Sequence, residues 1–222
     1  MKKKILLVLS TEKFSGGEKV ALDIAKSLKF DFDFVFFLPS NPSKEFEEEL
    51  KDFKVYFPSK KSFLGIIRNL KKTIFESKPS IVHAHGTRAG IFLKVTLFFT
   101  FRKNFKFIYT LHGIHFIRRK FPFNFIFLFL EVITNNLFVD YLTCVGKDDY
   151  NLAKKLRLIK NSKLLLIENG INLEKYRNIK RGYLRNNFEL KNKIILATIC
   201  RLGYQKDLKT LIKAIYLLKN EN

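Results

Sequence analysis

Cysteine is scarce in this chain. There are two, Cys144 and Cys200, each inside an apolar, strand-like run. They read as buried small hydrophobes, not as a disulfide framework or a metal pair, which suits a reducing cytoplasm. Acidic residues are also few, 20 Asp and Glu against 42 Lys and Arg, for a net charge of +22. Long apolar runs are missing altogether, and none approaches the roughly 20 residues needed to span a bilayer. The start, "MKKKILLVLS", is basic, but its apolar run covers only Ile5–Leu9. A secretory signal needs roughly 7–15 such residues, so this stretch reads as a buried strand. No repeat or low-complexity tract is present.

The positive charge has two readings. One is attraction to phosphates, on nucleotides, nucleic acid or an anionic membrane. The other is compositional bias, since Lys, Phe, Ile and Asn are all abundant. The basic residues are scattered, and no helix-turn-helix, RRM or zinc-finger pattern accompanies them, so nucleic acid is not the expected partner.

What the chain does have is 47% hydrophobic residues, ample for a packed core. Short apolar runs predict strands at Lys4–Leu9, Asp33–Leu38, Lys54–Phe57, Ile81–Ala84, Lys106–Thr110, Tyr141–Val145 and Lys163–Ile167. Their near-continuous apolar character fits a parallel sheet covered on both faces. Helical patterns lie between them, at Gly17–Leu28, Leu64–Ser77 and Asp148–Leu156. Strand–helix alternation predicts an α/β domain whose ligands sit at the C-terminal strand ends. After Ile167 the chain turns polar and basic. A linker is expected over 168–192, and the start of a second α/β unit over 193–222, with a strand Ile194–Cys200 and a helix Leu208–Leu218.

Several loops could carry chemistry. "SGGEK" puts Gly16 and Gly17 where the first strand gives way to a helix. Glycine permits close backbone approach, and a helix N-terminus offers N–H groups to an anion. A tight turn alone would also explain the pair, and neither GxGxxG nor a Walker A loop is formed. "VHAHG" and "LHGIHF" hold all four histidines, His83, His85, His112 and His115, at the ends of two strands. His83 and His85 share one strand face, and at least one of them is expected to be structural, bonding a neighbouring loop. No carboxylate lies in these loops, so a polar cleft floor is the better reading than a metal site. "RLGYQKDLKTLI" places Arg201 and Lys206 before a helix, as a diphosphate site or as a solvated loop.

In order, "SGGEK", "VHAHG", "TLHG", "CVGKDD", "LIENGIN" and "RLGYQKDLKTLIKAI" resemble the family-4 retaining glycosyltransferases of the GT-B fold, from Lys3 to about Leu218. The resemblance implies a Rossmann-like N-terminal domain on the acceptor side over residues 1–167, and the first strand–helix unit of a truncated donor-binding domain over 193–222. It implies transfer from a nucleotide-sugar donor to a glycan or lipid-linked acceptor, with retained configuration and no metal or cofactor. His112 corresponds to the histidine that contacts the transferred sugar. Gly16 and Gly17 would lie against the donor diphosphate or the acceptor. Arg201 and Lys206 would neutralise the departing diphosphate, and His85 and His115 would belong to the acceptor-side cleft. Gly146, Glu168 and Asn172 depart from the family's commoner Ser, Pro and Asp. The family's Glu-(x7)-Glu pair, which holds the donor, does not occur after Lys219. Little turnover is therefore expected of these residues alone, and the alternative reading is a catalytically incomplete acceptor- or membrane-binding module.

"FIRRKFPFNFIFLFLEVITNNLF" also has two readings. Basic residues beside bulky apolar ones suit an interfacial helix on an anionic bilayer, for a cytoplasmic protein peripheral on the inner membrane face. A core helix covering the sheet is the alternative for most of the block, with the Phe121–Phe127 end the more exposed part.

Overall fold

The computed structural model describes residues 2–100, 104–114, 120–178, 182–190, 192, 194–200, 202–203 and 206–220. The chain divides into two compact units, Met1–Gly170 and Ile171–Asn222.

The first unit is built on strands β1 (Lys3–Val8), β2 (Phe32–Phe37), β3 (Lys54–Tyr56), β4 (Ile81–His85), β5 (Lys106–Leu111), β6 (Tyr141–Cys144) and β7 (Leu164–Leu166). All pair in parallel, in the order β3-β2-β1-β4-β5-β6-β7. Every expected strand of this unit is present, with ends moved by at most a residue or two. Helices α1 (Gly16–Leu28), α2 (Lys44–Leu50), α3 (Phe63–Ser77), α4 (Thr87–Phe98), α5 (Phe123–Phe138) and α6 (Lys147–Lys155) connect them.

Strand alternation explains the continuous apolar runs. Leu6 and Val8 of β1 enter one core with Ile66 and Leu70 of α3 and Phe92 and Leu93 of α4. Ile5 and Leu7 enter the other with Ala21 and Leu22 of α1 and Phe46 and Leu50 of α2. Both faces are buried, so neither set of alternate positions can be polar. The second core stops near β4. Beyond it, the same sheet face carries Ile108, Thr110, Tyr141, Thr143 and Leu165, which line an open cleft instead.

Sequence order reverses about β1, with β2 on one side and β4 on the other. Such a switch point parts the loops at the C-terminal edge and leaves room for a ligand. There Ser10, after β1, donates to the His85 carbonyl at 2.6 Å, and the Ala89 N–H contacts the same hydroxyl at 3.4 Å. Gly86 has φ +84°, and a Cβ there would lie 2.5 Å from the Ser10 hydroxyl, so a side chain is excluded twice over.

Cys144 is fully buried, and burial pushes its thiol up to about 12. Cys200 is partly exposed. Native protein should therefore be alkylated once, at Cys200, and twice after unfolding; mass spectrometry of the modified peptides checks this.

The second unit contains a short helix α7 (Tyr183–Asn187) and the longer α8 (Leu208–Asn220). The expected helix is there, but the expected strand is not: residues 194–200 have no regular structure, and Ile194 and Ile199 are fully exposed. A strand exists by pairing. Among the described residues, no neighbour offers these residues a ladder.

Candidate active site

The site begins with alternation along β4. His83 and His85 project from one face, with ring centroids 4.0 Å apart. His83 Nε2 meets the Thr110 hydroxyl at 2.7 Å, and Thr110 meets Thr143 across to β6 at 2.6 Å. A polar row therefore crosses β4, β5 and β6 on the uncovered sheet face. It lines a cleft of about 330 Å³ whose far side includes Val20 and Ile24 of α1 and whose end includes Glu168, Asn169 and Gly170. His85 belongs both to this cleft and to the strand-end cluster above it.

His85 Nδ1 lies 3.2 Å from His112 Nε2, on the loop after β5, and the two rings stack with centroids 5.5 Å apart. The His112 ring also lies against Gly17: a Cβ at that glycine would stand 3.2 Å from His112 Cδ2. The glycine pair thus serves in part to let α1 begin beside a histidine. Among the described residues, nothing lies within 4 Å of a Cβ added at Gly16. The Ile114 N–H donates to Asp149 of α6 at 3.0 Å, which fixes the His112 loop from its other side.

Burial holds all three rings neutral. Desolvation takes His83 down to about 3, with His112 adding to it; it takes His85 well below the ordinary range, and lowers His112 also. Among the described residues, His85 Nε2 is buried and finds no hydrogen-bond partner. An unmet acceptor is better tolerated than an unmet N–H. The proton is accordingly assigned to His85 Nδ1, donated to His112 Nε2. His112 then carries its own proton on Nδ1, the ring atom left for a ligand.

Of the other expected site residues, His115 and Arg201 lie outside the described residues. Lys206 is exposed in the second unit, one residue before Asp207 and α8. Among the described residues, no cluster of three or more His, Cys, Asp or Glu is placed to hold a metal. Ser10, Thr110 and Asp149 were not expected as site residues. Asp149 stood inside a quoted motif, but only the fold reveals what it bonds. Glu18 was missed as well: it is buried in the first turn of α1 and accepts from the Ser15 hydroxyl. The spacing Ser-x-x-Glu before an apolar stripe was its signal.

The fold is that of a GT-B N-terminal domain. The chain belongs to Glycosyltransferase Family 4, whose family model matches residues 14–175. It is 27% identical over 168 residues to EpsD of Bacillus subtilis (strain 168), a protein assigned as a glycosyltransferase; the match covers 71% of this chain and 42% of EpsD. In structure it resembles Anabaena Alr3699/HepE, solved in complex with UDP-glucose, at a TM-score of 0.76 and 20% identity over 96% of this chain and 57% of that one. It also resembles a glycosyltransferase from Rickettsia africae ESF-5, with a TM-score of 0.67, 21% identity, and 99% and 58% of the two chains covered. The chain thus spans about half the length of these relatives.

Proposed function

We propose that these residues form the acceptor side of a glycosyltransferase that works in the cytoplasm on polysaccharide, lipopolysaccharide or glycolipid synthesis. The donor is a nucleotide sugar and the acceptor a glycan or a lipid-linked glycan. Family membership over residues 14–175 supports this reading, with His112 set at the end of β5 against Gly17. In the reaction the bond from the anomeric carbon to the diphosphate breaks, and a bond to an acceptor hydroxyl forms with retained configuration. The diphosphate leaves with the electron pair, so cations such as Arg201 and Lys206 act mainly as its charge develops. His112, neutral and protonated at Nδ1, offers one hydrogen bond to a hydroxyl of the transferred sugar. No metal or cofactor is required.

Calorimetric titration of these residues with glycan and lipid-linked glycan acceptors tests the reading. Acceptor binding that His112→Ala weakens at least about tenfold is expected. No acceptor binding, or binding that His112→Ala leaves unchanged, would contradict it.

A further inference from the structure

The C-terminal strand edge carries a second cluster of charges, beside the histidines. Ser10 joins the loop after β1 to the His85 carbonyl and to the first turn of α4. Glu12 and Lys13 follow it in that loop, and Arg88 stands in that turn. Lys61 comes from the loop after β3, with Nζ 3.8 Å from the Glu12 carboxylate. A bond from its own backbone N–H holds the Glu12 carboxyl below its ordinary range, and the fields of Lys61, Arg88 and Lys13 add to that shift. Three cations thus surround one carboxylate. Among the described residues, Lys13 and Arg88 form no ion pair, and Glu12 is the one acidic partner of Lys61.

Aromatic rings lie among these cations. The Arg88 guanidinium sits 6.0 Å over the Phe92 ring, and Phe92 lies 6.0 Å from Phe63. Phe63, which opens α3, is 49% exposed, and Phe57, just after β3, is 42% exposed. The turn between them is fixed in place. Ser62 accepts from the Gly65 N–H at 3.1 Å, and a Cβ at Gly65 would stand 2.8 Å from the Lys60 carbonyl. Rings and cations therefore form one strip, from the strand-end cluster towards β3.

We infer that this strip binds an anionic group, a carboxylate or phosphate, carried by the acceptor glycan. The inference rests on the acceptor reading above and names what that acceptor carries. A guanidinium takes either oxyanion through paired hydrogen bonds, and the lysines add point charges. The exposed ring faces give the C–H face of a sugar an apolar surface to lie on. A neutral glycan would leave the surplus positive charge unanswered. The strip adjoins His85, so an acceptor hydroxyl beside His112 and a charge on a neighbouring sugar can be held together.

Calorimetry with tetragalacturonate, a phosphorylated maltotetraose and plain maltotetraose tests this. At low salt at least one charged probe should bind about tenfold tighter than maltotetraose, and the margin should shrink as salt is added. Whichever charged probe is preferred identifies the anion. Lys61→Gln/Arg88→Gln should abolish the margin and leave maltotetraose binding unchanged. Both side chains are exposed, so the fold is kept. Lys72→Gln, an exposed lysine paired with Glu76 on α3, should change nothing. Charged probes that bind no better than maltotetraose overturn this inference and leave the acceptor reading standing. A margin that survives the double substitution, or falls equally in Lys72→Gln, assigns the effect to the overall charge of +22 and also overturns it. Tighter binding of octathymidylate than of every glycan assigns the strip to nucleic acid instead. No binding of any glycan overturns both readings.

Discussion

Lys94→Met should destabilise the chain by about 3–5 kcal/mol, the range for breaking one half of a buried ion pair. Lys94 and Glu131 are 5% and 4% exposed, with Nζ and Oε2 2.7 Å apart. Burial lowers the Lys94 pKa, and the attraction of Glu131 opposes that shift. Removing the lysine leaves the Glu131 carboxylate buried in the core without its cation, beside the Tyr109 hydroxyl. Such a loss is a large part of the roughly 5–15 kcal/mol by which domains are stable. The double substitution Lys94→Met/Glu131→Leu should recover most of it, because no charge is stranded and packing is roughly kept. Urea denaturation of the wild type, both single variants and the double variant gives the coupling directly. A single variant within about 1 kcal/mol of wild type, or a double variant as unstable as the singles, would refute the pairing.

Acid should destabilise the fold through its histidines. His83 and His85 have pKa values depressed below the roughly 6.5 of an unfolded histidine, so the unfolded state binds more protons. A depressed folded value means the contribution is fully present above about pH 6.5 and is lost as pH falls towards the folded value, about 3 for His83. Each histidine kept neutral costs at most about 1.4 kcal/mol per pH unit in that window, so the two together give up to roughly 3 kcal/mol per unit. Replacing His83 by Asn should remove about half of that slope. Stability measured from pH 7 to pH 4.5 checks it, and a curve that is flat in wild type would contradict the neutral, buried cluster.

Much of this architecture is legible in the sequence because both faces of a parallel sheet select apolar residues. Runs such as "ILLVL" and "FVFFL" can hardly be anything but buried strands. The site is legible in part. His-x-His on one strand predicts a shared face, but not that His85 would bond His112 or that Gly17 would make room for that ring. Those contacts join residues far apart in the chain, and periodicity carries no information on them. One expectation failed and another held only in part, for a common reason. Ile194–Cys200 has strand composition but, among the described residues, no ladder. "FIFLFLEV" packs Phe127, Leu128 and Val132 on the core but leaves Phe125 and Phe129 exposed while it buries Glu131. Composition gives what a segment could pack against; the neighbours decide what it does.

The central claim is that His112, held by His85, Gly17 and Asp149, contacts the sugar at the C-terminal edge of a family-4 fold. Nitrogen-15 NMR of the four labelled histidines, titrated with UDP-glucose and with glycan acceptors, tests it most directly. The free chain should show His112 neutral with its proton on Nδ1. A sugar ligand should move the His112 ring signals and leave those of His83 in place. A His112 signal that stays fixed while the ligand binds elsewhere, or a starting proton on Nε2, would contradict the account.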